Sequence, residues 1–472
     1  MLGITKPRSP YEVLSNNDVE VIHEASLRVL KKTGVIFDQA EAIAYFKKAG
    51  AIVTGNLVRI PPELVADAIE QSPGTVLLRA RNPEKSFTIG ADRIFFSGPF
   101  GATFVLDIDS GSRRRATLDD LRLCTRIADQ LKNAHACLAG VIPQDIPGEL
   151  DDLYSAAVIV ENTSKHVNLR VSGATYNNAI IEIGMIASDG EPCFSLGTGP
   201  MSPLKYPRPD IEKLIAGVKR GIPYRIVASS LAGATAPVTL AGCLTLLNAE
   251  VLAGVTLAQL VRPGNSVIYG SFTGVMDMRS GMHLLGSPEF ALLNAATAQL
   301  CRFYSLPFGY ATGGQTDSKL SDERAGMEKM ATALLPALAA ADLIHDGASG
   351  LIDSGNTLGF EQMLIDDELC SYIGRIVEGI KVDSQHIAAD IIHEVGPGGK
   401  FLSHSHTVRN LRKELYLSHF WDDVAGNNEK GMIGKLREHA RTLTNKESEH
   451  PLDPRKLVEM KKVVELAVKG EV

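Results

Sequence analysis

The sequence predicts a (β/α)8 TIM barrel of the α/β class, carrying an N-terminal helical and hairpin extension and further C-terminal helices. Three observations lead there. Between residues 91 and 360 the chain repeats one theme eight times: a short apolar run ending in Gly, Ser or Thr, then a helical stretch. The composition, 6% aromatic with 43 glycines, suits close packing of helix on strand better than a sandwich or propeller. No G-x-G-x-x-G follows any run, which counts against a doubly wound sheet, the main competitor.

Residues 1–90 read as a small helical cap followed by a hairpin. Val19, Ile22, Ser26, Val29 and Leu30 recur at helical spacing after the polar Ser15-Asn16-Asn17-Asp18, and Gly34 stops the helix. Shorter helices follow at 40–48 and, after Pro61-Pro62, at 63–71; runs at 76–80 and 86–89 flank the turn-forming Asn82-Pro83. The eight strand runs are 94–97, 136–142, 166–171, 193–196, 224–228, 266–269, 307–310 and 343–344, with helices such as 211–220, 288–303 and 322–335 between them. Alternation of this kind implies parallel strands joined by right-handed crossovers. Residues 361–472 change to helices with polar connections: 360–378, 383–395, a break at Gly396-Pro397-Gly398-Gly399, 408–420, and 454–468 capped by Asp453. These are expected to pack on the outside of the barrel or to join subunits, so a homo-oligomer is expected.

The charge balance, 48 Lys+Arg against 55 Asp+Glu for a net −7, leaves no basic stripe for nucleic acid. The one basic run, Arg113-Arg114-Arg115, reads as a solvated turn. Six cysteines lie far apart with no C-x-x-C pair, which argues against structural zinc and a disulfide framework. The start, MLGITKPRSP, lacks the apolar centre of a signal peptide, so a cytoplasmic location is expected. The apolar tract 231–260 contains Pro237, Asn248 and Glu250 and fits a buried helix rather than a membrane span.

In a barrel the active site is built from the loops after the strands. Those loops here are rich in Gly and hydroxyl residues, as in Ser97-Gly98-Pro99-Phe100-Gly101, Gly197-Thr198-Gly199-Pro200, Gly270-Ser271-Phe272-Thr273-Gly274 and Gly313-Gly314-Gln315-Thr316-Asp317. They hold no pair of glutamates for glycoside chemistry and no lysine for a Schiff base. Glycine at these rims could form anion nests, let a flat ligand approach closely, or merely permit tight turns. His345 and Asp346 end the last strand, where they could orient a carboxylate, act as acid and base, or serve as a core histidine beside a cap. His393, His404 and His406 lack a carboxylate at diagnostic spacing, and no metal is expected there. Asp317 reads as a helix cap or a partner of Lys319. Phe96, Phe100, Phe272 and Phe360 are candidates for an aromatic cage around a quaternary ammonium, against the alternative of plain core packing.

Longer strings carry a resemblance. Residues 22–35 (IHEASLRVLKKTGV) and 233–242 (GATAPVTLAG), followed by Pro288-Glu289-Phe290, 313–319 (GGQTDSK) and 361–368 (EQMLIDDE), resemble the trimethylamine:corrinoid methyltransferase family in the same order along nearly the whole chain. The resemblance implies a (β/α)8 barrel whose mouth receives a cobalt corrinoid carried by a separate small protein, with no cofactor held tightly in this chain. Trimethylamine enzymes of the family carry pyrrolysine, whereas this chain has only standard residues. It therefore resembles the non-pyrrolysine members, associated with quaternary amines such as glycine betaine, proline betaine or carnitine in methylotrophic one-carbon metabolism. The 313–316 neighbourhood is the expected counterpart of the pyrrolysine position. The implied binders are Phe96, Phe100, Phe272 and Phe360 as a cage, Gln315 as a polar wall, and Arg170 or His345 for a betaine carboxylate. A betaine- or corrinoid-protein-binding scaffold without turnover is the alternative from another class, and a phosphate-binding barrel enzyme is a third reading.

Overall fold

The computed structural model describes residues 2–188, 190–418 and 431–471. Eight parallel strands form its centre: β1 (Arg93–Ser97), β2 (Ala134–Cys137), β3 (His166–Asn168), β4 (Phe194–Thr198), β5 (Tyr224–Ala228), β6 (Val267–Ser271), β7 (Phe308–Thr312) and β8 (Leu343–His345). Each pairs with the next in chain order, and β8 returns to β1 through Leu343↔Phe95 and Ile344↔Phe96, closing the barrel. All eight coincide with the apolar runs of the sequence, within a few residues at their ends.

The helices that follow each strand are α1 (Leu118–Gln130), α2 (Asp151–Asn162), α3 (Asn177–Ala187), α4 (Arg208–Lys219), α5 (Leu240–Val261), α6 (Pro288–Tyr304), α7 (Glu323–Leu338) and α8 (Phe360–Glu378). The helix α5 is long and apolar enough to cross a membrane. Its place in the fold explains that composition, because it is mostly buried under the N-terminal helices Asn16–Lys32, Ala40–Lys48 and Pro62–Gln71. Glu250 inside it is fully buried and accepts hydrogen bonds from Ser202 Oγ (2.8 Å), the Leu204 N–H (2.8 Å) and Ser230 Oγ (3.0 Å). A buried carboxylate so satisfied fastens the loops after β4 and β5 to the core.

Two additions close one end of the barrel and build up the other. The hairpin of Val76–Leu78 and Phe87–Ile89 brings Val76, Leu78, Phe87 and Ile89 against Phe95, Ala136, Ile268 and Leu343, all buried. This apolar plug seals the amino ends of the strands. At the carboxyl ends, Phe104–Leu106, Arg113–Arg115, Leu351–Ile352 and Thr357–Gly359 form a small sheet from the loops after β1 and β8.

That sheet corrects the reading of the arginine run, which is a strand and not a solvated turn. Arg114 donates to Asp107 (2.9 Å) and in bidentate fashion to Asp120 (2.6 and 2.9 Å), while Arg113 lies 3.5 Å over the Phe104 ring and 3.2 Å from Asp353. Three further short strands, Val35–Phe37, Ile52–Thr54 and Leu57–Arg59, join the N-terminal helices. Beyond α8 the chain forms Ser384–Ile387, Ala389–Val395 and Ser405–Glu414, and later Gly431–Thr444 against α1 and α8 and Pro454–Val468 against α2 and α3. The helix expected at 408–420 thus ends at Glu414; its positions 419 and 420 lie outside the described residues.

Candidate functional site

A cavity of about 590 Å³ opens at the carboxyl ends of the strands. Its wall takes residues from the loops after all eight strands, Ile142 after β2 and Phe272 and Leu285 after β6 among them. A cavity at this end of the barrel is what the fold class leads one to expect.

The expected glycine-rich rims surround it, but most of those glycines answer to the scaffold. A Cβ on Gly313 would lie 2.7 Å from Ile344 Cγ2 and 2.8 Å from the Thr332 carbonyl; one on Gly347 would meet the Phe96 ring at 2.5 Å. Gly314 adopts φ +64°, and a Cβ there would face the Asp346 carbonyl at 2.8 Å. These turns are glycine because strand, helix and neighbouring loop touch at the backbone.

Four of the seven candidate residues reach the cavity: Phe100, Arg170, Phe272 and Gln315. Phe100 meets the His345 ring edge-on at 5.8 Å, and Phe272 is held by His283 (5.1 Å) and Phe290 (6.3 Å). Phe96 and Phe360 are fully buried and lie in the main hydrophobic core, outside the cavity wall. Strand parity decides the first of these, since Phe95 turns inward onto the plug and Phe96 outward to the helices. His345 is also fully buried, one layer below the wall, stacked on Tyr310 at 3.6 Å with Nδ1 3.0 Å from Asp346 Oδ2. Burial holds its imidazole below the ordinary histidine range, against the pull of Asp346. Asp317 is neither the cap of α7, a role Asp322 fills, nor a partner of Lys319. Its carboxylate accepts the Leu285 and Gly286 N–H groups (3.0 and 3.1 Å) and Ser354 Oγ (2.7 Å), joining the loops after β6, β7 and β8.

Three cations line the cavity, and they differ in company. Arg170 binds Asp151, and its Nε stands 2.8 Å from Asp152 Oδ1. Lys213 pairs with Asp210 at 2.7 Å and donates to the Val171 carbonyl at 2.8 Å. Arg225, the second residue of β5 and only 7% exposed, makes no side-chain hydrogen bond or ion pair with any described residue, and its Nε is buried without a partner. Its guanidinium carbon lies 5.3 Å from the centroid of the Tyr310 ring. The sequence did carry a signal for it: one arginine inside the run Tyr-Arg-Ile-Val-Ala, where a buried strand has no cheap place for a charge.

Opposite in sign stands Asp346, also on the wall. It takes a left-handed φ of +62°, a conformation that aspartate tolerates better than most residues. Oδ2 accepts from Gln315 Nε2 at 3.0 Å, while Asp346 Oδ1 and Gln315 Oε1 are buried without partners. Behind this wall Lys329 and Asp366 form a fully buried pair at 2.8 Å. Lys329 Nζ donates to the Gly314 carbonyl (2.8 Å) and Asp366 accepts the Gly350 N–H (2.7 Å), which fixes the loops after β7 and β8. Among the described residues no group of three or more His, Cys, Asp or Glu is arranged to hold a metal ion.

Comparison with known proteins matches this architecture. The family model described as trimethylamine methyltransferase (MTTB) matches residues 1–458. The trimethylamine methyltransferase MttB of Desulfitobacterium hafniense (strain DSM 10664 / DCB-2) is 36% identical over 408 residues, covering 85% of this chain and 82% of that protein. The glycine betaine methyltransferase of Desulfitobacterium hafniense (strain Y51) is 35% identical over 442 residues, 91% of each chain. Among solved structures, the Methanosarcina barkeri monomethylamine methyltransferase (MtmB) superposes with a TM-score of 0.53 at 11% identity over 93% of this chain and 89% of that one. Its hydroxylamine complex gives 0.55, a likeness of fold.

Proposed function

The chain belongs to the trimethylamine methyltransferase family, and on that premise we propose that it moves a methyl group from a quaternary amine to the Co(I) corrinoid of a separate partner protein. The amine in this reading is a betaine such as glycine betaine, proline betaine or carnitine. The observation that carries it is the match to a glycine betaine methyltransferase over 91% of both chains. The contents of the mouth support it, and so does a chain made of standard residues throughout.

A quaternary ammonium needs little help from side chains. Its N–CH3 bond breaks with the electron pair passing to nitrogen, which leaves as a neutral tertiary amine, while the electron pair of Co(I) forms the new bond to carbon. Positive charge on nitrogen falls along the way, so an apolar, water-poor mouth favours the reaction and no general acid is required. Holding cobalt, methyl and nitrogen in line contributes about 7–11 kcal/mol. Phe100 and Phe272 line the cavity, and Gln315 with Asp346 supplies a polar wall. A cation–π contact in a desolvated site contributes up to about 2 kcal/mol.

Cytoplasmic operation belongs to the same reading and is supported by the six cysteines, among which no disulfide forms. So does assembly of the chain with itself through the C-terminal helices, where Ile380, Val382, Ile387 and Leu402 are exposed; light scattering of the purified protein reads its mass directly. The activity is tested by mixing the protein with Co(I) corrinoid, free or protein-bound, and a panel of quaternary amines. Methyl-Co(III) absorbance appearing with one betaine supports the enzyme. Tight binding of a betaine with no absorbance change would favour a scaffold without turnover.

A further inference from the structure

Of the three cations around the cavity, two are neutralised by the protein itself. Arg170 is ion-paired with both Asp151 and Asp152, although its Nε makes no well-directed hydrogen bond, and Lys213 is paired with Asp210 and donates to a carbonyl. Arg225 has no such partner, although it is nine-tenths buried and faces the same space. Burial opposes its charge, yet a guanidinium stays protonated in proteins. A charge left unpaired in such a place is costly, and it is tolerated where a ligand completes it.

The opposite charge is treated in the same way. Asp346 keeps Oδ1 unpartnered, and Gln315 Oε1 beside it is unpartnered as well. The two charges do not cancel each other, since no ion pair joins them. Tyr310 touches both sides of the gap, its ring 5.3 Å from the Arg225 guanidinium carbon and stacked 3.6 Å from His345, which abuts Asp346. The cavity is thus a dipole with both ends open, and its complement is a ligand with a carboxylate at one end and a cation at the other.

We propose that Arg225 holds the carboxylate of the substrate, and that Asp346, Gln315 and the Phe100 ring face its quaternary ammonium. The assignment rests on the methyltransferase reading above and deepens it by naming the residue that selects zwitterions. Guanidinium and carboxylate match as a planar bidentate pair. An amine without a carboxylate leaves Arg225 unpaired and adds a second cation to its cavity, so the discrimination comes from loss of a partner as well as from gain of a repulsion. Substrate held by its carboxylate at β5 is also fixed in direction, which turns one end of the molecule consistently toward the incoming methyl acceptor.

Calorimetric titration of the full-length protein with glycine betaine and with betaine amide, its uncharged-tail analogue, tests this without any turnover. The wild type is expected to bind the carboxylate form about 100-fold more tightly. In Arg225→Met that ratio collapses towards one, and in Arg225→Lys it is partly restored. Arg170→Gln keeps the ratio. A wild type that binds the two alike, or binds neither, overturns the proposal, as does an Arg225→Met protein that keeps the preference. Because the wild-type ratio is itself a readout, poor folding of a variant does not shield the idea. Cobalt methylation by the wild type is scored separately: discrimination without methylation removes the activity and leaves the Arg225 assignment, whereas methylation without discrimination does the reverse.

Discussion

On the β3–β4 side of the barrel mouth, every cation is answered by a carboxylate from its own scaffold, Arg170 by Asp151 and Asp152 at the head of α2, Lys213 by Asp210 one turn earlier on α4. On the β5–β8 side, Arg225 and Asp346 occupy the same cavity with donors and acceptors unused. The residue types are the same and the burial is similar. The difference teaches that position on a rim does not mark a binding residue; spare bonding capacity does. Self-paired charges hold loops in place, while unpaired ones await something that comes and goes.

The largest effect expected from breaking this contrast lies behind the wall. Lys329→Met leaves Asp366 buried and uncompensated, which should cost about 3–5 kcal/mol of stability in urea denaturation. An unaltered midpoint would mean the pair is not the fastening of the β7 and β8 loops.

Next comes the mirror-image pair of arginines. Arg225→Met should leave the melting temperature unchanged or higher, since it removes an unpaired buried charge, yet raise the betaine concentration needed for turnover about 100-fold. Arg170→Gln should do the opposite, lowering stability by about 1–3 kcal/mol because Asp151 and Asp152 lose their common counter-charge. Were Arg170 to carry the larger effect on betaine dependence, the contrast between the two sides would fail.

Smaller changes sharpen the ammonium end. Phe100→Leu and Phe272→Leu each keep an apolar surface and lose the ring, so betaine affinity should fall about 2- to 30-fold. A further expected effect is a pH dependence that does not come from the site. His135, pushed down to about 3, and His166, pushed down to about 4, are both depressed mainly by burial. Both are neutral in the folded protein; Nε2 of His135 accepts the Gly3 N–H at 3.2 Å. The unfolded chain takes up protons near pH 6.5, the folded one only well below, so stability should fall as pH drops from about 6.5 towards 4 and be flat in this respect above 7. Melting temperatures that do not move between pH 7.5 and 5 would contradict those neutral histidines.

Much of the fold was legible because a barrel strand is a local object. Tyr224–Ala228 and its seven counterparts each announce themselves as a few apolar residues stopped by Gly, Ser or Thr, and Pro237, Asn248 and Glu250 inside the apolar tract 231–260 pointed to a buried helix, while the bonds that satisfy Glu250 come from distant loops. The small sheets were hidden because their strands are two or three residues long and pair over great sequence distances, Thr357 with Phe104 for example. The candidate site was half legible for a related reason. Phe100, Arg170, Phe272 and Gln315 follow strands and reach the cavity, whereas Phe96 depends on strand parity, which a run of Ile-Phe-Phe does not declare. Arg225 was missed because its importance is a lack of partners, and pairing is decided by tertiary neighbours such as the distant Asp151 that Arg170 finds and Arg225 does not.

The transfer itself is read most directly in a single turnover with Co(I) corrinoid and glycine betaine labelled in its N-methyl groups. The account predicts that labelled methyl appears on cobalt in an amount equal to the dimethylated amine formed. Betaine that stays bound and intact, with cobalt unmethylated, would contradict it.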